Sequence, residues 1–335
     1  MLIREELEKA ERENLSSFAA LSENSRGRKK PEEPCDIRPV YQRDRDRIVH
    51  SKAFRRLKDK TQVFLNPEGD HYRTRLTHTL EVSQIARTIA RALRMNEELV
   101  EAIANGHDLG HTPFGHAGER ALNEICPYGF EHNEQSVRVV DVLERDGEGL
   151  NLTLEVLDGM RNHQMKSMPF TLEGQIVRLS DKLAYIHHDM DDAIRAGVLT
   201  DKDVPEEIGR VLGMTTKERL DKLIHNIISE SLGKDRICMS PEVEKAMIDM
   251  RSFMFVNVYQ NPVVKGEESK AEALVKTLFE YYTHNIDALP ADLKKLLERG
   301  EAKERVVCDH IASMTDHHAI TVYEDLFVPK SWQGM

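Results

Sequence analysis

The stretch from Asn105 to Glu119 places three histidines, an aspartate and a glutamate within 15 residues, interrupted by glycines and a proline. A run this rich in imidazole and carboxylate has little use as packing. Leu99, Ile103 and His107 recur at i, i+4 and i+8, so His107 closes the apolar stripe of a helix and points inward. Adjacent His107 and Asp108 can both reach one cation if they sit at a helix end, where the chain need not continue round the cylinder. The glycines that follow allow a sharp turn over such a site. A lone inward histidine is more often a satisfied core residue. An inward His-Asp pair followed by His111 and His116 reverses that reading, and the stretch is read as a metal site.

The rest of the chain predicts an all-α protein. Leu, Ile, Ala, Glu and Lys recur at helical spacing, aromatic residues make up 6% of the 335 residues, and strand-like alternation is nearly absent. A formal charge of −11 argues against broad nucleic-acid binding, so any anionic ligand must be met by a local basic patch. The four cysteines (Cys35, Cys126, Cys238, Cys308) lie far apart, which indicates neither a zinc ribbon nor a disulfide framework. No apolar run approaches membrane length and the N-terminus is charged from Arg4, so no membrane partner and a cytoplasmic location are expected.

Taken in order, residues 1–20 predict a short amphipathic helix and 22–39 an extended, proline-punctuated arm. Between 41 and 60 eight basic residues face three acidic ones. That excess is either a solvated helix face or a phosphate funnel. A turn at Asn66–Asp70 leads to a helix with Leu76, Leu80, Ile85, Ile89 and Leu93 on its buried side and His78 near its start. Residues 171–196 form the most regular helix, with an apolar face of Leu172, Ile176, Leu179, Leu183, Ile186, Met190 and Ile194 and a stop at Gly197. Asp181, Tyr185 and Asp189 run along the same helix at i, i+4 and i+8. Asp181 lies in register between Leu179 and Leu183, and a carboxylate near the core needs a partner, for which a cation is economical. Thr215 or Thr216 caps a further helix, and Ser240-Pro241 opens another over 241–260. The organisation expected is an N-terminal helix and arm (1–40), a catalytic core (41–200) and a C-terminal helical lobe (201–335) that contributes to the substrate pocket.

His78, then His107-Asp108, then Asp181 gives the order H…HD…D of the HD phosphohydrolase superfamily. Phe54-Arg55-Arg56-Leu57, Asp59-Lys60-Thr61-Gln62-Val63-Phe64, the run Arg73–Val82, the run His107–His116 and Asp181-Lys182-Leu183-Ala184-Tyr185 together resemble the deoxyguanosine triphosphate triphosphohydrolase family, most closely over 40–195. The chain looks like one of its shorter bacterial members. The resemblance implies an HD-domain helical core and hydrolysis of a deoxynucleoside triphosphate to deoxynucleoside and inorganic triphosphate. His78, His107, Asp108 and Asp181 would then be the metal ligands. Two imidazoles with two hard carboxylates suit Mn²⁺, Fe²⁺, Co²⁺ or, more weakly, Mg²⁺. His116 matches the family's catalytic histidine, with Glu119 at i+3 to orient it. His111 and His132 match further site histidines. Arg75, Lys182, Tyr185 and Arg251 match phosphate-binding positions, Gln62 and Asp189 match those holding the sugar 3′-hydroxyl, and Tyr259 matches the tyrosine packed under the ribose. A homo-oligomer, and an activating nucleotide or single-stranded DNA as a further partner, go with the family.

Two other readings fit parts of the pattern. One is an HD phosphodiesterase with two metals, drawing on His111 and His132 as extra ligands. The other is a sensor that binds a dNTP or single-stranded DNA without turnover, for which the His116–Glu119 pair would have no use.

Overall fold

The computed structural model describes residues 2–62, 73–164, 166–260 and 262–330. The predicted turn at Asn66–Asp70, and Val63 and Phe64 of the motif, lie outside these. The helices begin with α1 Ile3–Asn14, α2 Val40–Val49, α3 Lys52–Arg56, α4 Arg75–Leu93, α5 Glu97–Gly106 and α6 Gly115–Ile125. They continue with α7 His132–Arg138, α8 Glu144–Gly147, α9 Leu154–Arg161, α10 Leu172–Arg195, α11 Glu206–Leu212 and α12 Thr216–Ser231. The last are α13 Pro241–Met254, α14 Pro262–His284, α15 Ala291–Glu298, α16 Lys303–Ala312 and α17 Asp316–Phe327. The fold is all-α; among the described residues extended pairing is confined to two isolated bridges, Arg28 with Thr153 and Thr61 with Thr74. No helix of the described residues is long and apolar enough to cross a membrane.

The helices start and stop where local chemistry directs them. The Thr171 hydroxyl accepts from Gly174 N at 3.1 Å to open α10, and Gly197 takes φ +71° just beyond its end. Thr215, not Thr216, caps α12, accepting from Glu218 N at 3.3 Å. On α4 the buried stripe is Val82, Ile85, Ala86, Ile89 and Leu93, while Leu80 is exposed. The interval from Leu80 to Ile85 is five residues, roughly 140° round a 3.6-residue helix, so Leu80 falls outside the stripe. The arm over 22–39 is pinned to the body rather than loose. Buried Arg28 pairs with Asp44 and donates to Asn151 O at 2.6 Å, and Asp44 in turn accepts from Thr153 N at 2.8 Å.

Apolar side chains gather in two clusters. One is built from α2, α4, α5 and α9–α13, the other from α6 and α14–α17. Asp316, at the start of α17, ties them together. Its carboxylate accepts from Phe114 N at 3.0 Å and from Thr61 N at 3.1 Å. Phe114 sits at φ +62° just before α6, so this contact fixes a left-handed residue at the turn leading into the helix that carries His116.

Candidate metal centre and nucleotide cleft

Four side chains from three helices converge on one point. His78 comes from the second turn of α4, His107 and Asp108 from the end of α5, and Asp181 from the middle of α10. His78 Nε2 lies 3.1 Å from Asp181 Oδ1 and 4.0 Å from Asp108 Oδ2. His107 Nε2 lies 3.5 Å from Asp108 Oδ1 and 3.6 Å from Asp181 Oδ1. His107 Nδ1 donates to Ala104 O at 2.6 Å, which fixes the tautomer and turns the Nε2 lone pair toward the carboxylates. That Nε2 is buried and has no hydrogen-bond partner. A buried lone pair facing two carboxylates is costly unless a cation sits among them. The ligand atoms of His78, His107 and Asp108 lie within 4.8 Å of one another, and the cluster suits a divalent metal. Both carboxyls stay ionised there. Burial raises them, but His107 with His111 and Arg75 at Asp108, and His107 with His78 at Asp181, hold them well below the usual carboxylate range.

The segment after Asp108 is shaped by close approach. A Cβ on Gly110 would stand 2.2 Å from Ser136 N, so α7 can pack there only against glycine. Ser136 Oγ accepts from Gly110 N at 2.9 Å and donates to His107 O at 2.6 Å, which holds the His-Asp turn against α7. This contact also brings His132 onto His111, their rings stacked with centroids 3.9 Å apart.

Beside the cluster runs a chain of imidazole and carboxylate. His116, exposed at the start of α6, donates through Nδ1 to Glu119 Oε2 at 3.0 Å. Glu119 Oε1 accepts from both the ring Nδ1 and the backbone N of His132, each at 2.8 Å. Burial raises the Glu119 carboxyl, but the hydrogen bonds from His116 and His132 outweigh it and hold the group far below its ordinary value. One ionised carboxylate therefore orients two histidines.

The cleft over these groups has a volume of about 350 Å³ and is lined by His78, Asp108, Asp181, His111, His116 and His132 together with Gln62, Arg75, Lys182, Tyr185 and Arg251. Arg75 is buried and donates to Asp108 Oδ2 at 2.7 Å. Burial and the nearby charge of Arg251 push the Lys182 ammonium down. Tyr259 and Asp189 are not on that lining. A π-helical turn, Phe255–Tyr259, ends α13 and carries Tyr259 onto Tyr185, the rings stacked at 5.5 Å and 17°. The Tyr259 hydroxyl donates to Asp189 Oδ2. Burial pushes the Asp189 carboxyl up to about 8, against the hydrogen bond from Tyr259, and its Oδ1 has no partner. Gln62 Oε1 is likewise buried without one.

Every site residue named from the sequence thus lies in this cleft or against it. The basic run 41–60 does not: none of it lines the cleft, and its arginines are largely spent on ion pairs, Arg45 with Glu98 at 2.6 Å and Arg47 with Glu32 at 2.8 Å. Sequence reasoning missed His163 and Arg178. His163 lines the cleft, its Nε2 3.3 Å from that of His132, and burial with His107 and His132 nearby pushes it down to about 4. It follows α9 as His107 follows α5, but no neighbouring carboxylate drew attention to it. Arg178 stands at i−3 from Asp181, i−4 from Lys182 and i−7 from Tyr185 on one face of α10, a signal the sequence did carry.

Comparison with known proteins matches both halves of this arrangement. Residues 75–186 match the HD domain family, and 237–325 match the phosphohydrolase-associated domain. A deoxyguanosinetriphosphate triphosphohydrolase-like protein of Caldanaerobacter subterraneus subsp. tengcongensis is 55% identical over 332 residues, covering 99% of this chain and 98% of that one. Proteins of the same name from Desulfatibacillum aliphaticivorans and Clostridium perfringens are 51% and 47% identical, each over 98% of this chain and 99% of their own. A solved phosphohydrolase from Bacteroides thetaiotaomicron shares the fold at a TM-score of 0.54 and 18% identity, over 84% of this chain and 68% of that one.

Proposed function

Since the chain belongs to the deoxyguanosinetriphosphate triphosphohydrolase-like family of HD-domain hydrolases, we propose that it is a metal-dependent dNTP triphosphohydrolase that cleaves dGTP, or other dNTPs, to deoxynucleoside and inorganic triphosphate. One observation carries the reading: a single cleft is lined by the His/Asp cluster, by His116 and by the cations Arg75, Lys182 and Arg251. His78, His107, Asp108 and Asp181 would hold the metal. A divalent cation there supplies charge against a phosphoryl oxygen and lowers the pKa of water. Two imidazoles with two carboxylates suit Mn²⁺, Fe²⁺, Co²⁺ or, more weakly, Mg²⁺.

The side chains divide the remaining work. Lys182, Arg251 and Tyr185 bind the phosphates; Arg75 shares its guanidinium between Asp108 and that task. His116, steadied by Glu119, moves a proton at the attacking or departing oxygen, and His132 and His111 brace it from behind. The unpartnered Gln62 Oε1 and Asp189 Oδ1 are available to a sugar 3′-hydroxyl. Arg251 and Tyr259 come from the C-terminal lobe, so that lobe completes the pocket. A homo-oligomer in the cytoplasm, with an activating nucleotide or single-stranded DNA as a further partner, is part of the same proposal.

If these cations grip the β and γ phosphates, the bond that breaks joins Pα to the 5′-oxygen and triphosphate leaves whole. Incubating dGTP with Mn²⁺ and the protein then yields deoxyguanosine and a pair of ³¹P signals without orthophosphate. Appearance of dGMP with pyrophosphate, or dGDP with phosphate, overturns the assignment. Tight dNTP binding without turnover of any dNTP hands the case to a sensor. A two-metal phosphodiesterase has one observation behind it, since ligand atoms of Asp108, His111 and His132 also lie within 4.8 Å of one another. Two metal equivalents per chain would favour it; one favours the triphosphohydrolase.

Tyr259 gives a specificity test. It is stacked on Tyr185 and bonded to Asp189, and in this reading its ring packs under C2′ and excludes a 2′-hydroxyl. Tyr259→Ala is expected to raise the ratio of GTP to dGTP turnover by about tenfold or more, the scale of one steric group in a pocket. An unchanged ratio in wild type and variant would remove Tyr259 from this role.

A further inference from the structure

The cleft holds more positive charge than its metal cluster uses. Among the described residues the acids on its lining are Asp108 and Asp181, both assigned to the metal. Of the five Lys and Arg residues there, Arg75 is bonded to Asp108 at 2.7 Å and Lys166 pairs with Glu131. Arg178, Lys182 and Arg251 make up the rest. Their charges reach one another. Burial and Arg251 push the Lys182 ammonium down and Arg178 adds to that push, while Glu244 pulls the other way. Burial also lowers the Arg178 guanidinium, again against Glu244, which is exposed on α13 and off the lining. Like charges gathered in a partly desolvated cleft are relieved by an anion.

Arg178 stands on the face of α10 that carries the other site groups. Arg178, Lys182, Tyr185 and Asp189 fall at i, i+4, i+7 and i+11, one turn after another. At roughly 1.5 Å per residue, Arg178 lies about 4.5 Å before Asp181 along the helix axis and Asp189 about 12 Å beyond it. In the triphosphohydrolase reading Asp189 meets the sugar and Asp181 the metal. A nucleotide with its sugar on one side of the metal carries its terminal phosphate to the other, and Arg178 is the cation that α10 presents there. Its Nε donates to Gln164 O at 3.2 Å, which steadies the guanidinium. A guanidinium can match two oxygens of one phosphate, where an ammonium meets them as a point charge.

We propose that Arg178 reads the length of the phosphate chain, gripping the terminal phosphate so that a nucleoside triphosphate is favoured over a diphosphate. This role rests on the triphosphohydrolase reading of the cleft, which by itself assigns no residue to chain length.

The test compares dGTP with dGDP at saturating Mn²⁺ for the wild type, Arg178→Gln and Arg178→Lys. Where dGDP turns over too slowly, it is followed as a competitive inhibitor. Arg178→Gln is expected to lower kcat/KM for dGTP at least about tenfold, mostly through KM, and to leave dGDP within about twofold, as the loss of a charge-assisted bond to one phosphate requires. Arg178→Lys should recover part of the dGTP value, because the charge returns without the fork. The rival role is structural. The Gln164 amide, on the residue that Arg178 holds, lies 3.3 Å from His132 Nε2, and a loosened Gln164 would slow both nucleotides alike. An equal fall for dGTP and dGDP, or a fall for neither, overturns the proposal. If the wild type turns over no dNTP, the hydrolase reading fails on its own. Titration calorimetry of dGTP and dGDP then gives the same comparison as a ratio of dissociation constants, and a ratio that Arg178→Gln leaves unchanged overturns the proposal as well.

Discussion

Asp108→Asn is expected to remove bound metal and turnover together. Asp108 faces His107 Nε2 at 3.5 Å through one oxygen and His78 Nε2 at 4.0 Å through the other, while Arg75 holds the second oxygen at 2.7 Å. An amide keeps the volume but cannot present two anionic oxygens, and its NH₂ would point at a guanidinium or at an imidazole nitrogen. Asparagine is preferred to alanine here. Leaving a buried charge such as Arg75 unpaired costs about 3–5 kcal/mol, and alanine would leave a void as well. Elemental analysis of the purified variant should find no stoichiometric Mn, Fe or Co, with dGTP hydrolysis at background and a helical circular dichroism spectrum retained. A variant that keeps one metal per chain would mean that Asp108 is not a ligand.

Much of this site was legible because its signals are local. The H, HD and D elements each sit on a helix whose apolar period can be read, so the inward direction of His107 and Asp181 followed from their neighbours. The helix starts at Thr171 and Ser240-Pro241 were legible for the same reason. What the sequence could not deliver are contacts made across the fold. Glu119 was read as the partner of His116, but its bond to His132 depends on α7 crossing α6, thirteen residues on, through the close approach at Gly110. The basic run at 41–60 was ambiguous because charge content does not say where a helix points. In the fold its arginines on α2 are neutralised locally, while Arg56 and Lys60 turn into a different cavity. Leu80 was placed on the wrong side by a five-residue step that a looser pattern tolerates.

His116→Ala separates catalysis from metal binding. The ring lies outside the His/Asp cluster, exposed at the cleft and bonded through Nδ1 to Glu119 at 3.0 Å, so its Nε2 is the atom free to meet substrate or water. Removing an acid/base of this kind costs about 10²–10⁴ in rate. The variant should therefore keep its full metal content and its affinity for a dNTP, and lose activity within that range. Glu119→Gln should cost less than His116→Ala, since the imidazole remains and only the carboxylate that orients it is gone. If Glu119 works through His116, the double variant should be no slower than His116→Ala alone, because residues that act as a unit are not additive. Metal lost along with the histidine would place His116 among the ligands. A double variant slower by the product of the two single effects would give Glu119 a role of its own, by way of His132 and the second end of its carboxylate.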